Sequence, residues 1–152
     1  MANTAKSDHN LEFITSKDHK KRALAFFISN NKNVNAKKSF NNLSRNTQNW
    51  FRIRFDAWRD GKINKNWFHG WDKSQYGGKY TNCFVFESKT TTDRFYGFLH
   101  HPKKYDRGYE LCVLINHTQK REQKTDETYL KRVEEIRMAL DVHKIIYAYF
   151  KE

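Results

Sequence analysis

The sequence is poor in cysteine, and its two cysteines, Cys83 and Cys112, lie within apolar segments typical of strands. It contains neither a CxxC nor an HExxH motif, so neither a disulfide framework nor a zinc site is predicted. Free cysteines in such segments behave as small buried hydrophobic residues. We therefore expect both thiols to be buried in a reducing compartment, and we expect no metal and no other cofactor.

Long apolar runs are also missing. No segment approaches the roughly 20 apolar residues that cross a bilayer. The N-terminus lacks the apolar core of a signal peptide. We therefore expect a soluble, cytoplasmic protein that has no membrane partner.

Acidic residues are scarce beside basic ones. The 17 Asp and Glu residues stand against 29 Lys and Arg, which gives a formal net charge of +12. Such a surface attracts polyanions, and nucleic acid is the commonest of these. No repeat and no change of composition appears along the chain. We expect one domain over residues 11–152, after a flexible N-terminus of residues 1–10.

The strongest structural pattern runs from Tyr109 to Leu140. Its first part, Tyr109–Asn116, is apolar on both faces and predicts a buried central strand. A basic turn, His117–Lys124, follows it. Asp126–Leu140 then has apolar residues at positions 129, 133, 136 and 140, which is one helical stripe. The pattern predicts a strand that brings cations to a sheet edge and a packed helix after them.

The other elements follow from alternation and turn residues. The additional predicted strands are Leu11–Thr15, Tyr80–Glu87, Arg94–His100 and Lys144–Phe150. Ser16–Ile28 predicts a helix that Ser16 caps, and Ile63–Lys79 predicts a long aromatic loop. The strands at Tyr80–Glu87, Arg94–His100 and Tyr109–Asn116 are expected to form an antiparallel meander.

The segment Lys37–Lys62 fits two structures. Apolar residues alternate at positions 51, 53, 55 and 57, as in a strand that ends in a hairpin at Asp60-Gly61. Phe51, Phe55 and Trp58 also form a helical stripe, with Gly61 as a C-terminal cap. We predict a helix. The expected fold class is α+β, with an antiparallel sheet of four to five strands, N-terminal helices and a C-terminal helix.

Three parts of the chain resemble the RelE/HigB-like toxins of toxin–antitoxin modules, including their phage-derived relatives. Lys38–Lys62 is similar to the helical segment of that family, which also favours the helix for this segment. Gly77–Glu87 and Asp93–His100 are similar to its paired strands, and Tyr109–Ile136 to its apolar strand, basic turn and closing helix. The resemblance covers roughly residues 11–140.

The resemblance implies a RelE-like domain and an endoribonuclease that cuts mRNA on the ribosome without a metal and is neutralised by a cognate antitoxin. In that reaction the ribose 2′-hydroxyl attacks the adjacent phosphate, cations stabilise the phosphorane, and a histidine, tyrosine or lysine moves protons. The predicted catalytic residues are Arg94, His117, Lys120, Arg121 and Tyr129. The predicted RNA-binding residues are His100, Lys103, Lys104, Arg107 and Lys124.

Each of these assignments has a structural alternative. Arg94 is either a phosphate clamp or a solvated arginine at a strand end, and on a strand it shares a face with Tyr96, Phe98 and His100. His117 is either a general acid or base or a hydrogen-bonded residue at the end of a strand. Tyr129 matches an aromatic position of the family, but it also begins the apolar stripe of its helix.

Two other functions remain open from the sequence. One is a non-catalytic RNA- or DNA-binding protein, such as a phage-type regulator, on the same fold. The other is a gyrase-poisoning toxin of the ParE type within the same superfamily. The dense set of His, Lys and Arg residues favours the ribonuclease over the gyrase poison.

Overall fold

The computed structural model describes residues 8–119 and 126–151 and shows a single sheet with helices on both of its faces. The strands are β1 (Asn10–Phe13), β2 (Arg22–Ile28), β3 (Phe68–Gly70), β4 (Cys83–Glu87), β5 (Asp93–His100) and β6 (Glu110–Gln119). The helices are α1 (Ala36–Asn41), α2 (Arg45–Arg59), α3 (Glu127–Met138) and α4 (Leu140–Tyr149).

The sheet has six strands in the order β1-β2-β6-β5-β4-β3. Strands β4, β5 and β6 pair in succession as an antiparallel meander, which confirms that part of the prediction. Strand β2 runs parallel to β6, and the other pairs are antiparallel. The α+β class is therefore correct, whereas the prediction of a purely antiparallel sheet with four to five strands is wrong.

The predicted helix over Ser16–Ile28 is wrong, because Arg22–Ile28 forms β2. Its side chains alternate between two cores: Ala23, Ala25 and Phe27 pack on one face of the sheet, and Leu24 and Phe26 pack on the other. A strand that is buried on both faces is a continuous apolar run. Such a run cannot be told from a buried helix by periodicity alone.

The helix prediction for Lys37–Lys62 is confirmed, although the segment forms two helices. The Asn35 side chain caps α1 by accepting from the amide of Lys38 at 3.0 Å, and Ser44 starts α2 by accepting from that of Thr47 at 3.2 Å. At the end of α2, the amides of Gly61 and Lys62 donate to the carbonyls of Trp58 and Ala57 at 3.0 and 2.8 Å. Gly61 has φ +81°, which completes the predicted glycine cap.

The C-terminal part agrees only partly with prediction. Helix α3 is present, and Val133 and Ile136 are buried as its stripe predicts, but Leu140 is 72% exposed because α3 ends at Met138. The predicted strand over Lys144–Phe150 is wrong, since this part belongs to α4. Val142, Ile146 and Phe150 are the buried positions, and their four-residue spacing is helical.

The sheet separates two apolar cores. Helices α1 and α2 cover one face through Phe40, Phe51, Phe55 and Trp58. Helices α3 and α4 cover the other through Leu130, Val133, Val142 and Ile146. Side chains of β6 point alternately into the two cores, as the sequence predicts for residues 111–115. Cys83 and Cys112 are buried as expected, and burial raises the pKa of both thiols.

Two segments predicted to lack regular structure contain ordered contacts. Residues 1–7 of the predicted flexible N-terminus lie outside the described part, but His9 Nδ1 lies 2.7 Å from Asp141 Oδ2, and Asn10 begins β1. The predicted aromatic loop Ile63–Lys79 contains the short edge strand β3 and a 3₁₀ turn at Tyr76–Gly78. These elements are too short for sequence alternation to reveal.

Candidate nucleic-acid interface

The pairing of β5 with β6 decides which predicted site residues share a face. Residues directly opposite each other in an antiparallel pair project on the same side of the sheet. Arg94 lies opposite Thr118 and Tyr96 opposite Asn116, on the side of α3. His117 lies opposite Phe95, which belongs to the core under α1 and α2. His117 is therefore on the other face of the sheet from Arg94.

Arg94 is only 7% exposed. Its Nε atom lies 3.2 Å from Oε2 of Glu87, the residue directly opposite it on β4. Arg94 follows the strand alternation and so shares a face with Tyr96 and Phe98, as predicted. The alternative interpretation of Arg94 as a solvated arginine at a strand end is wrong, because its guanidinium group is held in an ion pair within the fold.

Tyr129 lies on the same side of the sheet as Arg94. Its ring stacks on Tyr96 with centroids 5.6 Å apart and an interplanar angle of 22°. Its carbonyl accepts from the side-chain amide of Asn116 at 3.2 Å. The guanidinium carbon of Arg132 lies 5.7 Å from the centroid of its ring. The tyrosine is half-buried and packed, so aromatic contact is its main structural role in this arrangement.

His117 is paired with a carboxylate on the opposite face. Its Nε2 atom lies 2.7 Å from Oδ1 of the buried Asp93, and its ring lies 4.8 Å from that of Phe95. The three described members of the predicted catalytic set are thus divided between the two faces of the sheet. The other two, Lys120 and Arg121, lie outside the described residues, as does Lys124 of the predicted RNA-binding set.

The remaining predicted RNA contacts lie at the end of β5 and in the loop after it. Lys103 Nζ lies 4.0 Å from the centroid of the Tyr109 ring, whereas Lys104 and Arg107 are exposed. The half-buried His100 ring lies 5.9 Å from that of His143. Burial and, to a lesser extent, the neighbouring imidazoles and Arg137 lower the pKa of His100. Its neutral form is therefore favoured in the folded protein.

A larger concentration of positive charge lies in a segment that the sequence pattern did not single out. Residues 32–65, which include α1 and α2, contain nine basic and two acidic residues. The basic residues are Lys32, Lys37, Lys38, Arg45, Arg52, Arg54, Arg59, Lys62 and Lys65, and the acidic ones are Asp56 and Asp60. Residues 126–151, which include α3 and α4, contain five of each sign. The helical layer of residues 32–65 is therefore strongly basic, and the α3–α4 layer is balanced.

Most cations of the α1–α2 layer are not neutralised within the described residues. Lys37 pairs with Glu12 at 2.6 Å, and Arg59 pairs with Asp56 and Asp60 at 3.5 and 3.0 Å. The other seven basic residues of 32–65 have no carboxylate oxygen within 4 Å among residues 8–119 and 126–151. Six of these seven side chains are exposed and Arg54 is half-buried, so a polyanion can reach most of their charge.

Two of these cations oppose the local helix electrostatics. The N-terminus of a helix carries partial positive charge, which favours acidic side chains there and disfavours basic ones. Lys37 nevertheless lies in the first turn of α1, Arg45 is the first residue of α2, and neither first turn contains an acidic residue. Helix stability does not explain these cations, and a conflict between local preference and fold is typical of functional surfaces.

Aromatic rings lie among the cations. The guanidinium carbon of Arg54 lies 4.1 Å from the centroid of the Trp50 ring, and its Nη1 donates to the Trp50 carbonyl at 3.3 Å. Arg52 lies over Phe40 at 5.3 Å. These contacts hold the charged groups in place on the outside of α2. In the sequence, the seven-residue spacing of Arg45, Arg52 and Arg59 was the pattern that would have indicated a basic side of this helix.

Together these features define an α+β protein whose mixed six-stranded sheet separates a basic helical layer from one of balanced charge. Comparisons with models of protein families, with curated proteins and with solved structures found no match. Within residues 8–119 and 126–151, no helix has the length and apolar character needed to cross a bilayer. The same residues contain no group of three or more His, Cys, Asp or Glu side chains placed to hold a metal ion.

Proposed function

We propose that this chain is a nucleic-acid-binding protein and that the α1–α2 layer is its binding surface. The observation that supports this most directly is the concentration of nine basic residues in 32–65, seven of them without a carboxylate partner among the described residues. Phosphate neutralisation by Lys and Arg supplies most of the affinity of non-specific nucleic-acid binding. The interleaved aromatic residues Trp50 and Trp67 favour nucleic acid over a purely electrostatic partner.

The proposal predicts a steep dependence of binding on salt. Single-stranded binding loses about 0.7 units in log K per unit of log salt for every phosphate contacted, because counterions return to the strand. With five to seven contacts, the affinity should fall roughly 130- to 900-fold between 50 and 200 mM salt. Fluorescence anisotropy with labelled RNA and DNA oligonucleotides measures this slope. Binding that does not change with salt, or no binding at 50 mM, contradicts the proposal.

A second candidate function is an mRNA endoribonuclease of the RelE type, acting on the ribosome and held inactive by an antitoxin. Two observations favour it. Helices α1 and α2, the antiparallel meander and α3 follow one another in the predicted order, although β2 occupies part of the segment predicted as the first helix. Arg94, Tyr96 and Tyr129 also lie on one side of the sheet, near the point where β6 leads into residues 120–125.

For this second function, removal of the Arg94 charge should abolish most RNA cleavage. Arg94→Ala alone would leave a poorly solvated carboxylate at Glu87, and breaking such a pair costs about 3–5 kcal/mol. The informative variant is therefore Arg94→Gln combined with Glu87→Gln, because it removes both charges and leaves a polar side chain at each position. The expected result is loss of cleavage in the double variant and retention in Glu87→Gln, measured with purified ribosomes and saturating mRNA.

Folding is checked in both variants by circular dichroism. Equal cleavage rates for the wild type and the double variant would show that Arg94 is not part of a catalytic site. A wild type that cuts no RNA, with ribosomes or without them, would leave binding as the function and Arg94 as a residue of the fold.

A further inference from the structure

An open groove lies on one side of α2, between the helix and the segment that follows it. Its volume is about 450 Å³, and it is lined by Ile53, Arg54, Ala57, Lys62, Ile63, Asn64 and Trp67. The Gly61 cap turns the chain sharply at the end of α2 and brings residues 62–67 back alongside the helix. The groove belongs to the basic layer, and its base is apolar.

The apolar side chains of the groove are unusually accessible. Ile53 is 62% exposed in the middle of α2, and Ile63 is 43% exposed. Trp67 is half-buried, and its ring is held by stacking on Phe86 at 5.9 Å with an interplanar angle of 14°. A cluster of large exposed apolar side chains in a surface depression commonly marks a binding site.

The charges of the lining select among possible occupants. Arg54 and Lys62 lie at the groove, and none of its lining residues is acidic. Two other grooves on the described surface include carboxylates, from Glu12 and Asp56 in one and from Glu134 and Glu135 in the other. A further groove at His100 and His143 also lacks acidic lining, but it belongs to the layer of balanced charge. An occupant of the α2 groove should therefore be both apolar and anionic.

We propose that this groove accepts unpaired bases of single-stranded nucleic acid, with the phosphates next to them meeting Arg54 and Lys62. The proposal rests on the nucleic-acid binding proposed above and specifies the form of the ligand. A nucleotide combines a flat apolar ring with a phosphate, which matches an apolar base flanked by cations. In a duplex the bases are stacked and paired, so only a single strand can place them in such a depression.

The position of Arg54 is suited to this role. Its contacts with the ring and the carbonyl of Trp50 fix the guanidinium group at the edge of the groove before any ligand binds. A cation that is already ordered loses less side-chain entropy when it meets a phosphate. The chain thus offers an ordered cation and an ordered aromatic ring on two sides of one accessible apolar surface.

The test compares Ile53→Ser combined with Ile63→Ser against a matched control on the other layer. Both isoleucines are exposed, so serine removes apolar surface without opening a cavity. The control is Met138→Ser combined with Leu140→Ser, which changes residues that are 66% and 72% exposed near the junction of α3 and α4. Probes are a labelled 12-nucleotide RNA, a DNA of the same sequence, and the corresponding duplexes.

The groove variant should bind the single strands about tenfold more weakly than the wild type, with little change for the duplexes. The control variant should bind all probes as the wild type does. If the groove variant binds single strands as tightly as the wild type, while salt still weakens binding steeply, the groove takes another occupant, such as an apolar partner chain, and this inference is wrong. If the wild type binds none of the probes at 50 mM salt, the proposed function itself fails.

Discussion

Replacing Lys38 and Arg45 together by glutamate is expected to weaken nucleic-acid binding about a hundredfold at roughly 50 mM salt, because two attractive contacts become repulsive. The same change should leave the protein at least as stable as the wild type. Position 38 is the third residue of α1, where a glutamate can complete a capping box, and position 45 is the first residue of α2. A negative charge at position 45 also interacts favourably with the dipole of α2.

Opposite changes in affinity and stability would be difficult to explain by a general disturbance of the fold. Affinity is measured by anisotropy with a labelled single-stranded RNA, and stability by thermal unfolding. The matched control replaces Lys131 and Lys144, two exposed residues of α3 and α4, by glutamate and gives the same net charge. If both double variants lose affinity equally, binding depends on total charge alone, and the assignment of the surface to the α1–α2 layer is wrong.

The sequence predicted the parts of the sheet that are local in the chain. Strands β4, β5 and β6 follow one another and pair with their neighbours, so alternation and turn residues are sufficient to place them. The pairing of β2 with β6 is different, because it joins Arg22 to Glu110, which are 88 residues apart. No local pattern specifies such a parallel pair, and it is this pair that makes the sheet mixed.

The two incorrect secondary-structure predictions have a common cause. The apolar runs of β2 and α4 are each only about seven to ten residues long. In β2 both faces are buried, so the polar positions that would reveal a period of two are missing. In α4 the buried residues Val142, Ile146 and Phe150 extend beyond the predicted segment, so a window over residues 144–150 includes only two of them.

The position of His117 shows why a site is harder to predict than a fold. Strict alternation would place His117 on the same side as Leu111, Val113 and Ile115, which is the side of Arg94. Strand β6 instead has an extra residue at this point, because Tyr96 pairs with Asn116 and Gly97 pairs with Leu114. The bulge keeps Asn116 on the α3 side and moves His117 to the other face. No local sequence pattern predicts this bulge.

The basic surface was not identified from sequence for a related reason. The predicted basic segments are short runs of charge, at Lys103–Arg107 and in the predicted turn His117–Lys124. On α1 and α2 the cations are separated by apolar and amide residues, and only the helical fold brings them to one layer. Local runs of charge therefore understate surfaces that a helix or a pair of helices assembles from spaced residues.

Gly97→Ala is expected to destabilise the protein by about 3 kcal/mol, near the upper part of the range for overpacking a core. Gly97 lies in β5 at the register shift with β6, and a Cβ atom there would overlap the carbonyl oxygen of Val113 and lie 2.8 Å from the ring of Phe84. The carbonyl belongs to the backbone of the central strand, so it cannot move without disturbing the ladder. For a chain of this size the melting temperature should fall by roughly 6–12 °C.

The control for this change is Gly108→Ala in the loop before β6. The nearest atom to a Cβ at Gly108 is Oδ1 of Asp106 at 3.7 Å, which is an ordinary contact, so its effect should stay within about 0.5 kcal/mol. Both variants lose the same backbone freedom in the unfolded chain, so their difference isolates the steric overlap. Equal stability of the two would mean that β5 and β6 can separate at the bulge. In that case the bulge would not fix the faces on which Asn116 and His117 project.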